Sequence, residues 1–219
     1  MKRADVVAFY ARLAADNPHP ETELEFGNVY QLLVAVVLSA QATDAGVNKA
    51  TRALFADVHT PDAMVALGED GLKAHIKTIG LFNTKAKNVI ALSHALVADH
   101  GGQVPQDQAA LEKLPGVGRK TANVVMNCAF GAETFAVDTH VFRVCNRTGL
   151  APGKTVQAVE AKLDKATPQP FRLHAHHWLI LLGRYTCKAR TPECWRCPVA
   201  DLCAFKPKSI APKTVPAGA

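Results

Sequence analysis

Four cysteines near the carboxyl end of the chain restrict how that end can fold. They follow the pattern Cys187-x6-Cys194-x2-Cys197-x5-Cys203. In a chain without a secretory signal, such a group favours metal binding over disulfides or separate reactive thiols. Four thiolates can hold zinc or an iron–sulfur cluster. Zinc sites usually present two close cysteine pairs, and only Cys194 and Cys197 are close here, so the spacing favours a [4Fe–4S] cluster.

The chain is basic, with a formal net charge of +6 at pH 7. Excess positive charge favours polyanionic partners such as nucleic acid, although an ordinary basic enzyme can carry the same balance. Part of this charge lies between the first two cysteines, where Lys188 and Arg190 are expected to be exposed. We therefore expect this loop to reach a phosphate group while a bound cluster holds it rigid.

Membrane and export signals are missing from the sequence. No apolar run approaches the roughly 20 residues that a membrane-spanning helix needs. The amino-terminal basic residues are not followed by the apolar core of a signal peptide. We expect a protein that is not secreted, has no membrane partner and stays in the cytoplasm, with the nucleoid as its place in a bacterial cell.

The rest of the pattern indicates helices joined by short turns. Period-two alternation, which would indicate strands, appears only briefly near Phe135. The segment from Val29 to Ser39 is apolar almost all round and predicts a central buried helix. The fold class is therefore all-α. We predict a helical bundle domain over 22–132, a cluster domain over 1–21 plus 133–206, and a disordered tail over 207–219, which is rich in proline and small residues.

A glycine-rich turn, Leu114-Pro115-Gly116-Val117-Gly118, joins two of the predicted helices. Glycine permits positive φ and close backbone approach. The amides of Gly116, Val117 and Gly118 are expected to point outward at the start of the next helix, where the helix dipole favours an anion such as a DNA phosphate. Arg119 and Lys120 add positive charge beside them. The alternative is a plain corner between two helices, with glycine present for steric reasons.

Lys120 and Asp138 are the candidates for chemistry. A lysine that is neutral part of the time can attack an electrophilic carbon and form a Schiff base. Asp138 follows an apolar run and has the position of a helix N-cap. Its carboxylate could hold the positive charge that develops on a sugar ring as the base departs, or assist deprotonation of the lysine. The alternative makes Lys120 a phosphate contact and Asp138 only a cap.

Taken together, these features resemble the endonuclease III family, the DNA glycosylase/AP lyases of the helix-hairpin-helix superfamily. The likeness extends over about residues 5–206. It is carried by Leu38-Ser39-Ala40-Gln41-Ala42-Thr43-Asp44, Ile79-Gly80-Leu81, Leu114 to Val125, Ala136 to Arg147 and the cysteine loop. The resemblance implies a two-lobed all-α fold with DNA bound between the lobes, and removal of oxidised pyrimidines from duplex DNA after the base is flipped out.

The resemblance also implies roles for single residues. Lys120 matches the lysine that attacks C1′, displaces the base and forms the Schiff base for β-elimination, and Asp138 matches the catalytic aspartate. Gln41 and Leu81 match the residues that fill the gap left by the extruded nucleotide. Without the resemblance, Gln41 would be interpreted as a solvent-facing loop residue and Leu81 as a helix-end core contact. The four cysteines match the ligands of the family's [4Fe–4S] cluster.

Two other classes of protein share some of these features. A monofunctional glycosylase of the same superfamily, such as the adenine-mismatch type, lacks lysine at the position of Lys120 and carries a further carboxyl-terminal domain for which 219 residues leave no room. A non-catalytic DNA-binding module with structural zinc would be colourless and would release no base.

The expected partner is damaged double-stranded DNA, bound by a monomer without an obligate protein partner.

Overall fold

The structure of the protein, a computed structural model, describes residues 1–212, and in this range its regular elements are all helical. The predicted all-α fold is thereby confirmed. The α-helices are α1 (Arg3–Asp16), α2 (Val29–Leu38), α3 (Asp44–Asp57), α4 (Pro61–Ile76), α5 (Phe82–His100), α6 (Gln108–Lys113), α7 (Arg119–Phe130), α8 (Thr139–Thr148), α9 (Val156–Ala166) and α10 (Arg172–Leu181). No helix within residues 1–212 is both long enough and apolar enough to cross a bilayer.

The chain divides into two compact units. One unit is Glu21–Ala132, and the other combines Met1–Pro20 with the chain from Glu133 onward. The sequence pattern places the first boundary one residue later and the second boundary at the same residue. Each unit has a hydrophobic core of its own.

Helix α2 is the centre of the unit Glu21–Ala132. Every side chain from Tyr30 to Leu38 is buried, because the helix is apolar on all faces and packs against α3, α5 and α7. Its start is fixed by Asn28, whose side chain accepts a hydrogen bond from the amide of Gln31. The buried side chain of Gln31 donates from Nε2 to the carbonyl oxygens of Phe55 and Val58, 2.9 Å away in each case.

The second unit joins the two ends of the chain. Tyr10 of α1 is fully buried, and its hydroxyl group lies 3.1 Å from the hydroxyl oxygen of Thr167. The Tyr10 ring stacks on Phe171 at 5.7 Å between ring centroids. Trp178 of α10 donates from its indole nitrogen to the carbonyl oxygen of Asn17 at 2.8 Å. These contacts bind α1 into a core otherwise built from residues beyond Glu133.

Helix α10 continues into one π-helical turn, Leu182–Thr186, which ends immediately before Cys187. Single π-helical turns are frequent at functional sites, because the wider turn redirects the chain that follows. Here the turn delivers the chain into the cysteine loop. The carbonyl oxygen of Leu182 also accepts a hydrogen bond from the amide of Cys187 at 2.7 Å.

The first part of the predicted tail makes hydrogen bonds to the cysteine loop. Lys208 donates from Nζ to the carbonyl oxygens of Cys203 and Phe205, and Ser209 accepts from the amide of Cys194 at 2.9 Å. Composition misses these contacts because two polar side chains are enough to fix the segment, and two side chains make no periodic pattern. The remainder of the predicted tail, 213–219, lies outside the described residues.

One buried charge in α5 affects stability. Lys85 is buried, and its Nζ has no hydrogen-bond partner in the part of the chain that the structure describes. Burial lowers the pKa of Lys85 below its ordinary value of 10.5, because desolvation disfavours the charged form. The unfolded chain therefore binds this proton more tightly than the folded chain. The resulting destabilisation is fully present below the lowered pKa and disappears as the pH rises toward 10.5.

We expect Lys85→Met to increase the free energy of unfolding at pH 7 by about 1–3 kcal/mol, because it removes a buried donor without a partner. Urea unfolding measures this change, and the gain should shrink as the pH approaches 10.5. The matched control is Lys87→Met, at an exposed position of the same helix, where a change below about 0.5 kcal/mol is expected. Equal changes in the two variants would contradict the assignment.

Candidate functional site

The glycine-rich turn forms a compact hairpin between α6 and α7. The amide of Val117 donates to the carbonyl oxygen of Leu114 at 3.0 Å, and both side chains are buried. Gly116 has a φ of +77°, and a Cβ atom at this position would lie 2.9 Å from the Cβ of Asn88 in α5. Positive φ and the close approach both require glycine here. The hairpin is therefore more than a flexible corner, since it is pressed against a neighbouring helix.

The backbone amides of the hairpin differ in how well they could donate to an external anion. The sequence predicts an outward amide at Val117, and this prediction is wrong, because that amide closes the turn on Leu114. Gly116 and Gly118 are exposed, and the outward direction of their amides stays a prediction. Gly118 is the N-cap of α7 and has no side chain to accept from the amides of the first turn. This helix start can therefore receive an external anion.

Lys120 lies in the first turn of α7, directly after Arg119, and both side chains are exposed. The hairpin fixes the backbone from which the exposed lysine extends. This position gives the amine access to a large substrate. The sequence motif locates Lys120 correctly on a helix start beside a candidate anion site.

Asp138 is the N-cap of α8, the local structure that its sequence position predicts. Its Oδ1 accepts hydrogen bonds from the amides of His140 and Val141, at 2.9 Å and 2.8 Å. No donor within residues 1–212 bonds to Oδ2. One oxygen therefore orients the carboxylate, and the other is available to a ligand. Asp138 and Lys120 are contributed by different units of the chain.

Gln41 and Leu81 share an unusual backbone conformation. Within residues 1–212 they are the only residues other than glycine with positive φ, at 56° and 60°. Such a conformation costs about 1 kcal/mol or more for an ordinary side chain and is frequent at ligand-binding positions. The side chain of Leu81 is 60% exposed, which excludes its interpretation as a core contact. Both residues belong to the same unit as the hairpin.

The four predicted metal ligands line one cavity. Cys187, Cys194, Cys197 and Cys203 all lie in its wall, together with side chains such as Leu182 and Phe205. Within residues 1–212, no three cysteine, histidine or acidic side chains converge closely enough to hold a single metal ion. Four thiols that line one cavity without converging on a single point fit an iron–sulfur cluster, whose ligands surround several iron ions, better than they fit zinc.

The thiols also influence one another electrostatically. Burial raises the pKa of Cys197, and the charges of the other three cysteines raise it further. Burial would raise the pKa of Cys194 too, but hydrogen bonding to Ser209 and the positive charges of Lys208 and Arg147 outweigh it, so this pKa is lowered. Four thiolates that line one cavity repel each other, and a bound cationic group relieves that repulsion.

Two arginines of α8, which the sequence motifs did not indicate, hold the cysteine loop. Arg143 donates to the carbonyl oxygens of Cys187 at 2.9 Å and Gly183 at 2.7 Å. Arg147 donates to the carbonyl oxygens of Lys188 and Ala189, each at 2.7 Å. The one signal in the sequence is the spacing of two arginines four residues apart, which places them on one face of a helix. Helix α8 therefore connects Asp138 at its start to the cysteine loop.

The two basic residues between the first two cysteines differ in whether their charge is compensated by a nearby carboxylate. Lys188 forms an ion pair with Glu193 at 2.5 Å, and Arg196 pairs with the same carboxylate. These two cations lower the pKa of Glu193. Arg190 is exposed. The charge of Lys188 is thus partly compensated within the loop, and Arg190 is the better placed of the two predicted phosphate contacts.

We expect Gly116→Ala to decrease the free energy of unfolding by about 1–3 kcal/mol, because alanine is strained at positive φ and its Cβ would collide with Asn88. Gly118→Ala is the matched control, since its φ is −99° and nothing lies within 4 Å of an added Cβ. It should cost less than about 1 kcal/mol, through poorer helix capping. Urea unfolding separates the two, and equal losses would contradict the packing argument.

Comparison with known proteins identifies the relatives of this chain. A family model described as the HhH-GPD superfamily base excision DNA repair protein matches residues 34–169. A model of the iron–sulfur binding domain of endonuclease III matches residues 187–203. Endonuclease III of Escherichia coli (strain K12) is 58% identical over 208 residues, which cover 95% of this chain and 99% of that protein. The Haemophilus influenzae enzyme is 57% identical over the same shares.

Solved structures agree with these matches. A trapped endonuclease III–DNA covalent intermediate has a TM-score of 0.87 and 43% identity, and the match covers 93% of this chain and 96% of that chain. A thermostable thymine-DNA glycosylase has a TM-score of 0.80 at 24% identity, with 92% of this chain and 96% of that chain covered. The second likeness supports the fold alone. The predicted [4Fe–4S] cofactor is confirmed by the iron–sulfur domain match.

Proposed function

Because this chain belongs to the endonuclease III family of base excision DNA repair proteins, we propose that it removes oxidised pyrimidines from duplex DNA and nicks the resulting abasic site. The family consists of DNA glycosylases with AP lyase activity, and the enzyme's partner is damaged double-stranded DNA. The observation that carries the proposal is an exposed lysine, Lys120, at a helix start that can receive a phosphate. A relative forms a trapped covalent intermediate with DNA.

In this proposal Lys120 is the nucleophile. Its neutral amine attacks C1′ of the damaged nucleotide, the bond from C1′ to the base breaks, and the base leaves with the electron pair and takes up a proton. Loss of a proton from the amine and opening of the sugar give a Schiff base. β-Elimination then removes the 3′ phosphate and breaks the strand. Neither alternative function needs a lysine at this position to form a bond to carbon.

Asp138 is proposed to stabilise the charge that arises in the first step. Its carboxylate is oriented by two backbone amides of α8, and Oδ2 remains for the substrate. A negative charge near the sugar stabilises positive charge that develops as the base leaves. The same oxygen could accept the proton that the lysine must lose. Helix capping and catalysis are therefore compatible, because they use different oxygens.

The DNA duplex is proposed to contact the hairpin and the two residues with positive φ. The exposed first turn of α7, with Arg119 and the amides at Gly116 and Gly118, is suited to a backbone phosphate. Gln41 and Leu81 are exposed and held in a strained conformation. Side chains held this way can enter the base stack when a nucleotide leaves it.

The cluster belongs to the same proposal as a structural group. When it is bound, it supplies four metal–thiolate bonds that hold the cysteine loop. Arg190 is exposed on that loop and would face a phosphate. We also propose that the enzyme works in the cytoplasm, at the nucleoid of a bacterial cell, where its DNA substrate lies.

Lys120→Gln tests the nucleophile. Borohydride reduces a Schiff base to a stable amine, so the natural enzyme should form a covalent adduct with a duplex that carries one thymine glycol. We expect Lys120→Gln to form no adduct and to nick no strand, while it still binds the duplex. Lys113→Gln, at an exposed position near the end of α6, should form the adduct normally. Full nicking by Lys120→Gln would remove this lysine from the mechanism.

Asp138→Asn tests the carboxylate. Asparagine is an equally good N-cap, so the free energy of unfolding should change by less than about 0.5 kcal/mol. We expect the rate of base release to fall by about 10²–10⁴-fold, because the negative charge is lost. Single-turnover release of the damaged base measures the rate. A near-normal rate would reduce Asp138 to a helix cap.

A further inference from the structure

Ser209 connects the end of the described chain to the segment that precedes a cluster ligand. Its hydroxyl oxygen accepts a hydrogen bond from the amide of Cys194 at 2.9 Å. The same hydroxyl group donates to the carbonyl oxygen of Pro192. One side chain therefore satisfies two backbone groups of the short segment from Pro192 to Cys194. Neither contact belongs to the ligand pattern, and neither follows from the proposed catalytic residues.

The segment 205–209, which we call the strap, forms part of the cavity wall. Phe205 and Lys208 line the cavity together with the four cysteines. Lys208 donates to the carbonyl oxygens of Cys203 and Phe205, each at 2.6 Å. The guanidinium group of Arg147 lies over the ring of Phe205, 4.8 Å from its centroid. The strap thus runs from the last cysteine ligand back to the second.

Ser209 is the attachment of the strap at its far end. Cys194 begins a three-residue 3₁₀ turn, Cys194–Arg196, and the residue before it, Glu193, provides no side-chain cap. The acceptor for the first amide of this turn is therefore supplied by the strap. Without the hydroxyl group, this amide and the carbonyl oxygen of Pro192 would both have to find water instead. Local opening of the strap would then become easier, because its attachment to Cys194 is lost.

We propose that Ser209 is a positioning residue for Cys194 and that it latches the strap across the iron–sulfur cavity. The latched strap limits the access of water, chelators and oxidants to the cluster. This proposal rests on the cofactor, and it stands or falls independently of the roles of Lys120 and Asp138. The hydroxyl group is essential to it, because the same group accepts from one backbone group and donates to another.

The test uses the full-length protein with its cluster loaded. An iron(II) chelator is added anaerobically. Loss of the cluster is measured as the decrease in absorbance at about 400 nm, which arises from thiolate-to-iron charge transfer. A parallel sample is exposed to air without chelator, and loss of its cluster is measured in the same way. We expect Ser209→Ala to lose its cluster about three- to tenfold faster than the natural protein. Ser209→Thr keeps the hydroxyl group and should restore the slow rate. Thr191→Ala removes an exposed hydroxyl group from the same loop and should have no effect.

A second measurement separates positioning from general stability. Visible circular dichroism of the loaded protein reports the environment of the cluster and should change in Ser209→Ala but not in Thr191→Ala. If Ser209→Ala fails to load a cluster while Ser209→Thr loads it, the positioning role is also supported. Equal rates of loss in Ser209→Ala and the natural protein would overturn the proposal. Failure of Ser209→Thr to restore the slow rate would overturn the role of the hydroxyl group.

Discussion

The hydrogen bonds from Arg143 and Arg147 to backbone carbonyl oxygens are the interactions on which the carboxyl-terminal unit depends. The cysteine loop has little regular structure, so its carbonyl groups need donors from elsewhere. The two arginines of α8 provide three such bonds, and Arg143 adds a fourth to Gly183 in the turn that precedes the loop. Helix α8 thereby fixes the loop at one end while its N-cap, Asp138, presents a carboxylate at the other. The candidate catalytic carboxylate and the cofactor loop are supported by one short helix.

The features that the sequence predicted well are those carried by local patterns. The apolar run of α2, the glycine hairpin and the N-cap position of Asp138 all depend on neighbours within a few residues. Backbone partners cannot be predicted this way. The amide of Val117, the carbonyl contacts of Arg147 and the strap attachment at Ser209 depend on how the chain folds back on itself. Residue types alone do not indicate which carbonyl a donor will reach.

Backbone strain could not be predicted from the sequence either. Gln41 and Leu81 adopt a conformation that usually indicates glycine or asparagine, so residue type argues against it at both positions. Family resemblance selected these two residues for a different reason, namely contact with the DNA base stack. An unfavourable backbone conformation and an expected contact with DNA are independent observations, and together they favour a ligand-binding role for both positions. An ordinary solvent-facing loop residue would relax into a more favourable region.

The packing of Tyr10 against Thr167 and Phe171 has a consequence for the order of events during synthesis. Helix α1 leaves the ribosome first, yet the residues that complete its core are made 157 positions or more later. The unit Glu21–Ala132 is continuous in sequence and can fold as soon as it emerges. The core that α1 joins is built from residues beyond Glu133, so it is complete only after the rest of the chain has been made. The four cysteines, Cys187 to Cys203, all follow the unit Glu21–Ala132 in the chain, so the ligands of the cluster become available only after that complete unit has been synthesised.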